Sequence, residues 1–308
     1  MLVLKTENLS KHFDRFKALS NLSLEVQQGD IYGFLGLNGA GKTTTLRLLL
    51  RLIAPSQGKI WILEQDFKRH HLAIMSRVGA LVETPAFYSY LSGRVNLTLL
   101  ARLGGYFKKD IITDLLTRVG LIDRADYKVN TYSQGMKQRL GIAQALLPCL
   151  LDQSSGPKLV MLDEPTNGLD PQGVVQIRNL IKQLHETHNV SFVISSHLLT
   201  EIELLCNRVG VIKQGQLVVQ GTIPELLQRT TPSYVRLHVT PLDQTKKLIK
   251  QLSWVQELVV ISESELKVKC NLSRLGELNA YLVQHNIKVS ELTPERKGLE
   301  EFFMDKMK

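Results

Sequence analysis

Hydrophobic and polar positions alternate from Leu2 to Glu7 and again from Ala18 to Val26, which predicts two strands with one buried face each. The run Ile31–Leu35 is apolar throughout and stops at Gly36, the pattern of a strand buried on both faces. Leucines at 46, 48, 49, 50 and 52 then lay out a helix that ends before Pro55. Between Ser92 and Ala125, leucines at 97, 99, 100, 103, 115 and 116 point to a helical insertion, with its borders at about 90 and 145. Two later runs, Lys158–Leu162 and Val190–Ile194, read as buried strands, each followed at once by polar residues. Reactive groups at the carboxyl ends of parallel strands are the usual arrangement of an open α/β sheet.

The pattern changes after the polar, proline-containing stretch Arg229-Thr230-Thr231-Pro232-Ser233, which reads as a linker. Beyond it come a strand at Tyr234–Val239, a helix at Asp243–Leu252, strands at Val255–Ile261 and Glu265–Cys270, a helix at Ser273–His285 and a strand at Ile287–Leu292. This βαββαβ order is the split, ferredoxin-like arrangement, and a last helix is expected at Gly298–Met307. The expected organisation is therefore an α/β domain over 1–228 and a small α+β accessory domain over 229–308. No internal repeat or low-complexity tract interrupts either.

Composition narrows the picture only a little. A formal charge of +9 and a pI near 9.4 favour anionic partners: nucleotide phosphates, a nucleic acid or the acidic face of a membrane. Cys149, Cys206 and Cys270 are far apart in apolar surroundings, which suits buried, reduced thiols in a cytosolic protein rather than a metal site. Lys5 and Glu7 break the N-terminal segment, so no export signal is expected, and no apolar stretch approaches the ~20 residues of a membrane span.

The segment Gly36-Leu37-Asn38-Gly39-Ala40-Gly41-Lys42-Thr43-Thr44 fits G-x-x-x-x-G-K-[ST] between a strand and a helix. Glycines there let successive backbone N–H groups face phosphates at a helix N-terminus, while Lys42 reaches the β- and γ-phosphates and Thr43 offers a hydroxyl to Mg²⁺. Asp163 and Glu164 end an apolar run, which places one carboxylate to hold Mg²⁺ and the next to polarise an attacking water. These two features suit any P-loop ATPase or GTPase.

The segment Tyr132-Ser133-Gln134-Gly135-Met136-Lys137-Gln138-Arg139-Leu140 resembles the signature motif of ABC ATPases. Asn167-Gly168-Leu169-Asp170 resembles the family's D-loop, and Ser195-Ser196-His197 its switch-histidine loop. Over roughly the first 225 residues the order of these motifs is that of the ABC ATPase domain, so the resemblance implies a P-loop NTPase fold with a helical subdomain. It also implies ATP and Mg²⁺ as ligands, with Lys42, Glu164 and His197 as catalytic residues. Phe13 stands where the family has an adenine-stacking aromatic, with Phe16 a second candidate. Ser133, Gly135 and Asp170 would meet nucleotide across a head-to-tail dimer, in which each chain carries half of each site.

Two departures stand out. Where relatives have a glutamine, this chain has Glu83, the expected Mg²⁺ ligand and sensor of the membrane partner. The signature keeps Ser133 and Gly135 but has Gln134 in place of a glycine and Met136 in place of the final glutamine. Leu91-Ser92-Gly93-Arg94 begins like a signature, but it lacks the next glycine and precedes the helical insertion, so it is rejected. Glu83 with the following Pro85-Ala86-Phe87-Tyr88, the stretch Gly93–Leu97, Tyr132-Ser133-Gln134-Gly135-Met136 and the ending Gly298–Phe303 resemble the bacitracin-resistance and lantibiotic-immunity export branch.

The resemblance implies a separate multi-spanning permease and a second ATPase subunit as partners, no nucleic acid, and a cytoplasmic place on the inner face of the membrane. The alternative is a soluble ABC ATPase acting on nucleic acid or the ribosome. Such proteins usually join two ATPase domains or insert a long coiled coil, and neither is present. A non-hydrolysing binding module conflicts with intact Lys42, Asp163, Glu164 and His197.

Overall fold

A computed structural model of the chain describes residues 1–104, 109–151, 157–228, 234–295 and Phe303. The chain divides into two compact units, Met1–Ile223 and Pro224–Lys308. The linker expected at 229–233, and all but Phe303 of the helix expected at Gly298–Met307, lie outside the described residues.

The first unit opens with β1 (Leu2–Phe13), β2 (Phe16–Leu22), β3 (Glu25–Gln27), β4 (Ile31–Leu35) and α1 (Lys42–Leu49). Next come β5 (Gln57–Ile62), β6 (Gln65–Asp66), α2 (Phe67–Met75) and β7 (Val78–Leu81). Three helices follow, α3 (Gly93–Leu103), α4 (Lys109–Arg118) and α5 (Gln134–Leu151), where the leucine pattern predicted an insertion. The unit is completed by β8 (Lys158–Asp163), α6 (Pro171–His188), β9 (Val190–Ser196), α7 (Leu199–Leu205), β10 (Arg208–Lys213) and β11 (Gln216–Thr222), and α8 (Ile223–Gln228) leads out of it.

Two sheets form here. The antiparallel one runs β2-β1-β5-β6 with β3 also on β1, and the central one runs β11-β10-β4-β9-β8-β7. In the central sheet β10, β4, β9, β8 and β7 are parallel. Burial on both faces explains its continuous apolar runs: Phe34 and Phe192 are essentially inaccessible, each contributing roughly 1.5–3 kcal/mol of hydrophobic stabilisation. The register pairs Leu35 with Ser196 and Asp163 with Ser195, so three chemically loaded loops leave the sheet side by side. At the edge, β7 meets α5 backbone to backbone: a Cβ at Gly79 would lie 1.7 Å from the Ala145 carbonyl oxygen.

The structure extends or divides some expected strands. β1 runs on to Phe13 because its second half changes partner, pairing Leu9–Phe13 with β2. The strand expected over Ala18–Val26 breaks at Ser23, where the buried Thr6 hydroxyl donates to Leu22 O at 2.9 Å and accepts from Leu24 N at 3.0 Å.

The second unit comprises β12 (Tyr234–Thr240), α9 (Leu242–Lys250), β13 (Glu257–Ser262), β14 (Glu265–Lys269), α10 (Leu275–Gln284) and β15 (Lys288–Glu295). Its sheet order, β13-β14-β12-β15 with every neighbour antiparallel, is the ferredoxin-like split βαβ. Val235, Leu237, Val239, Leu266 and Val268 face Ile249, Leu278 and Leu282 of the helices to make its core.

Candidate functional site

The loop between β4 and α1 turns through Gly39 and Gly41 in left-handed backbone, φ 79° and 109°, and delivers the chain to the N-terminus of α1. Its inner wall is tight: a Cβ at Gly41 would lie 2.7 Å from the Leu19 side chain. Lys42, 6 % exposed, turns back over the loop and donates to Gly36 O at 2.8 Å. It also faces Glu164 Oε1 at 3.2 Å.

Glu164 follows β8 with φ 46°, a left-handed conformation costly for a side-chain-bearing residue and frequent at functional sites. Its backbone N–H is held by Ser195 O at 3.2 Å and Ser195 Oγ at 3.0 Å. The side chain bridges two groups, Oε1 toward Lys42 and Oε2 to His197 Nδ1 at 2.7 Å. Buried Asp163 accepts from the Ser195 hydroxyl.

Lys42, Glu164 and His197 border a cleft of about 430 Å³, lined also by Phe16, Ala18, Asn38, Gly39, Gly41, Thr43, Thr44 and Asn167, while Asp163 and Ser195 are buried and not part of its lining. Its size is that of a small-molecule site, roughly 300–1,000 Å³. A buried ammonium, a helix N-terminus and left-handed glycines suit phosphate, while the Thr43 hydroxyl and Asp163 carboxylate are the hard oxygen donors that Mg²⁺ takes. Gly36 and Ala40 are buried parts of the loop and Leu37 is exposed, so none of the three lines the cleft.

The cleft aromatic is Phe16, not Phe13. Although the two are register partners across the β1–β2 hairpin, Phe13 lies under the Lys11 ammonium at 4.8 Å and is not part of the lining.

Ser133, Gly135 and Asp170 are not in this cleft either. They line a second cavity with Gly168, Arg139 and Gln176. Ser133 Oγ accepts from Met136 N at 3.2 Å at the start of α5, and Asp170 caps α6 by accepting from Gly173 N at 2.9 Å. The two linings share no residue. Glu83, with φ 65°, lies outside both and pairs with Arg47 of α1.

Ser195, which holds both Asp163 and the Glu164 backbone, and Asn167, which lines the cleft, carry no assigned role in the sequence reading. Their signal was position: both stand inside the segments singled out for His197 and Asp170.

A phosphate cradle at the carboxyl end of an interior strand of a parallel sheet, with a carboxylate–histidine pair beside it, defines a P-loop ATPase. The family profile described as ABC transporter matches residues 19–167. The bacitracin transport ATP-binding protein BcrA of Bacillus licheniformis is 39% identical over 302 residues, covering 98% of this chain and 96% of that one. Its namesake from Enterococcus faecalis is 34% identical and covers 98% and 95%. A solved ATP-binding subunit of an ABC transporter superposes with a TM-score of 0.63 at 25% identity, covering 74% of this chain and 92% of that one. The chain belongs to the ABC transporter ATP-binding family. It is an ATP-binding, ATP-hydrolysing subunit that powers a transmembrane partner; the family architecture implies ATP and Mg²⁺ as ligands and pairing with a permease and a second ATPase subunit.

Proposed function

We propose that the chain is the motor of an exporter of antimicrobial peptides or related drugs, seated on the cytoplasmic face of the membrane as a head-to-tail dimer. The bacitracin transport relative supports the cargo class, because the similarity spans 98% of this chain. No described helix is long and apolar enough to cross a membrane, so passage falls to a partner. The observation that carries the dimer is the separation of the two clefts: one chain offers Lys42 in one place and Ser133 in another.

In this reading Lys42 binds the β- and γ-phosphates and gives up Glu164 Oε1 as it does so. Glu164, still oriented by His197 through Oε2, takes the proton of the attacking water as general base. Thr43 and Asp163 would hold Mg²⁺, which when bound neutralises developing phosphate charge. Phe16 stacks on the adenine, Ser133 of the second copy donates to the γ-phosphate, and Asp170 settles the facing loop. Glu83, on the loop after β7, senses the metal and the permease. The ATPase domain ends near Gln228, and the ferredoxin-like domain is accessory to it.

The test is antibiotic susceptibility in cells carrying the chain and the permease encoded beside it. Lys42→Ala should raise sensitivity to bacitracin-like cyclic peptides. Unchanged sensitivity to such peptides, with ATPase activity intact in the wild type and lost in the variant, overturns the cargo reading.

A further inference from the structure

We infer that Tyr132 is a positioning residue for the signature serine, and that Gly93 is glycine to admit its hydroxyl. This rests on the reading above that Ser133 completes the nucleotide site of a second copy. Tyr132 is 4% exposed and its hydroxyl donates to Arg124 O at 2.6 Å. A Cβ at Gly93 would stand 2.4 Å from that hydroxyl oxygen and 3.2 Å from the ring carbon bearing it. The fit is specific to a tyrosine beside a glycine. Burial raises the phenol's pKa, which keeps it protonated and a donor.

Around this contact the segment entering α3 is bound to the segment entering the signature. Gly93 N donates to Tyr127 O at 3.3 Å, Arg94 N to Ala125 O at 2.9 Å, Val129 N to Leu91 O at 2.9 Å and Asn130 N to Ser89 O at 2.9 Å. Arg94 adds an ion pair to Asp126 at 2.8 Å. At the outer end, buried Asn96 holds the Tyr88 backbone through bonds of 2.9 and 3.1 Å, and the Tyr88 and Tyr90 rings are 58% and 64% exposed. At the inner end the next residue after Tyr132 is Ser133. A shift of the aromatic surface loop therefore carries the signature serine with it, while neither Tyr132 nor Gly93 lines the cleft that holds Lys42.

The experiment uses the full chain with its permease in vesicles, measuring steady-state ATP hydrolysis and, separately, ATP affinity. Tyr132→Phe should lower kcat about five- to tenfold, the equivalent of one hydrogen bond, with the Kd for ATP unchanged. Gly93→Ala should cost about tenfold or more in the wild-type background and markedly less in the Tyr132→Phe background, because the obstructing oxygen is gone and only the ring carbon at 3.2 Å remains to give way. Independent, multiplying losses, or losses that appear in Kd instead of kcat, overturn the proposal. Ser133→Ala separates the two levels: if it is fully active, the dimer reading itself fails. If it is inactive while Tyr132→Phe and Gly93→Ala turn over normally, only the positioning role fails. Should Gly93→Ala not fold, Tyr132→Phe, which removes one atom and adds no volume, decides the matter alone.

Discussion

Charged side chains cluster in both units, but they are held by different means. In the cleft suited to phosphate, Lys42 opens α1 while Glu164 and His197 follow parallel strands, and Glu164 meets both partners from left-handed backbone. In the second unit Arg236, Glu265, Lys267 and Glu295 lie on the sheet face opposite the core, brought together by strand register alone. Arg236 is 3.1 Å from Glu265 and 2.5 Å from Glu295, with Lys267 also on Glu295. Register places such pairs without backbone strain, and partly exposed ones contribute a few tenths to about 1 kcal/mol net of the side-chain entropy they lose. Strained backbone is retained where a group must face a reacting atom. Ion pairs of similar length thus have different uses, and the backbone that presents them tells which.

The largest effect that sharpens this contrast comes from Glu164→Gln. Turnover should fall by about 100-fold or more while ATP still binds, since a general base is lost and the phosphate cradle is not. Phosphate release measured beside equilibrium ATP binding checks it, and near-normal release removes Glu164 from the role. Next, Phe16→Ala should weaken ATP binding about five- to tenfold, the worth of one stacked ring, and Phe13→Ala should not. Equal losses would return the stacking role to Phe13.

Glu83→Ala should slow permease-stimulated hydrolysis a few-fold, and Glu83→Gln should restore it at a higher Mg²⁺ requirement, since an amide oxygen is a weaker ligand. Curves superimposing on wild type across a Mg²⁺ titration would leave Glu83 as a surface partner of Arg47.

The second unit should respond in stability rather than turnover. Hydrogen bonds from Lys267 and then Arg236 hold the Glu295 carboxyl below its ordinary pKa of 4.5. Because the folded value is the lower one, the stabilisation is present above pH 4.5 and is lost as pH falls through the folded value. Glu295→Gln should therefore cost about 0.5 kcal/mol at neutral pH after allowance for solvent screening, and nothing in strong acid. Denaturant melts at the two pH values read the difference, and a cost that persists in acid would show that packing, not charge, is involved. The smallest change is expected from ending the chain at Gln228, which should leave Mg-ATP affinity within about twofold because the cleft lies wholly before that point. A folded truncation with no affinity would place the domain boundary elsewhere.

The cleft was legible in the sequence wherever one short segment carries both the strand and the group it presents. Gly36–Thr44, Asp163-Glu164 and Ser195–His197 are such segments. What depends on neighbours in space was not legible. Phe13 and Phe16 face each other across a hairpin, and only the setting of that hairpin decides which ring turns to the cleft. Ser195 reaches Asp163 because β8 and β9 are adjacent, a pairing no local pattern states. Glu83 finds Arg47 across 36 residues of chain. The rejected signature at Leu91–Arg94 proved informative in another way, since Ser92 caps α3 by accepting from Val95 N at 3.2 Å and Gly93 receives Tyr132. In the second unit alternation located all four strands, but β13 begins at Glu257 rather than Val255 because Val255 N is taken by a turn back to Leu252.

The bare contact between Gly79 and Ala145 gives α5 a fulcrum. From there to Ser133 the chain covers twelve residues, an arm of about 18 Å at the rise of an α-helix. A tilt of only about 5° about that point sweeps the serine through roughly 1.5 Å, more than the whole spread of ordinary hydrogen-bond lengths. The gain of such a lever depends on a stiff pivot, and two backbones in contact with no side chain between them provide no cushion. Any residue larger than glycine at position 79 would meet the Ala145 carbonyl and force β7 and α5 apart.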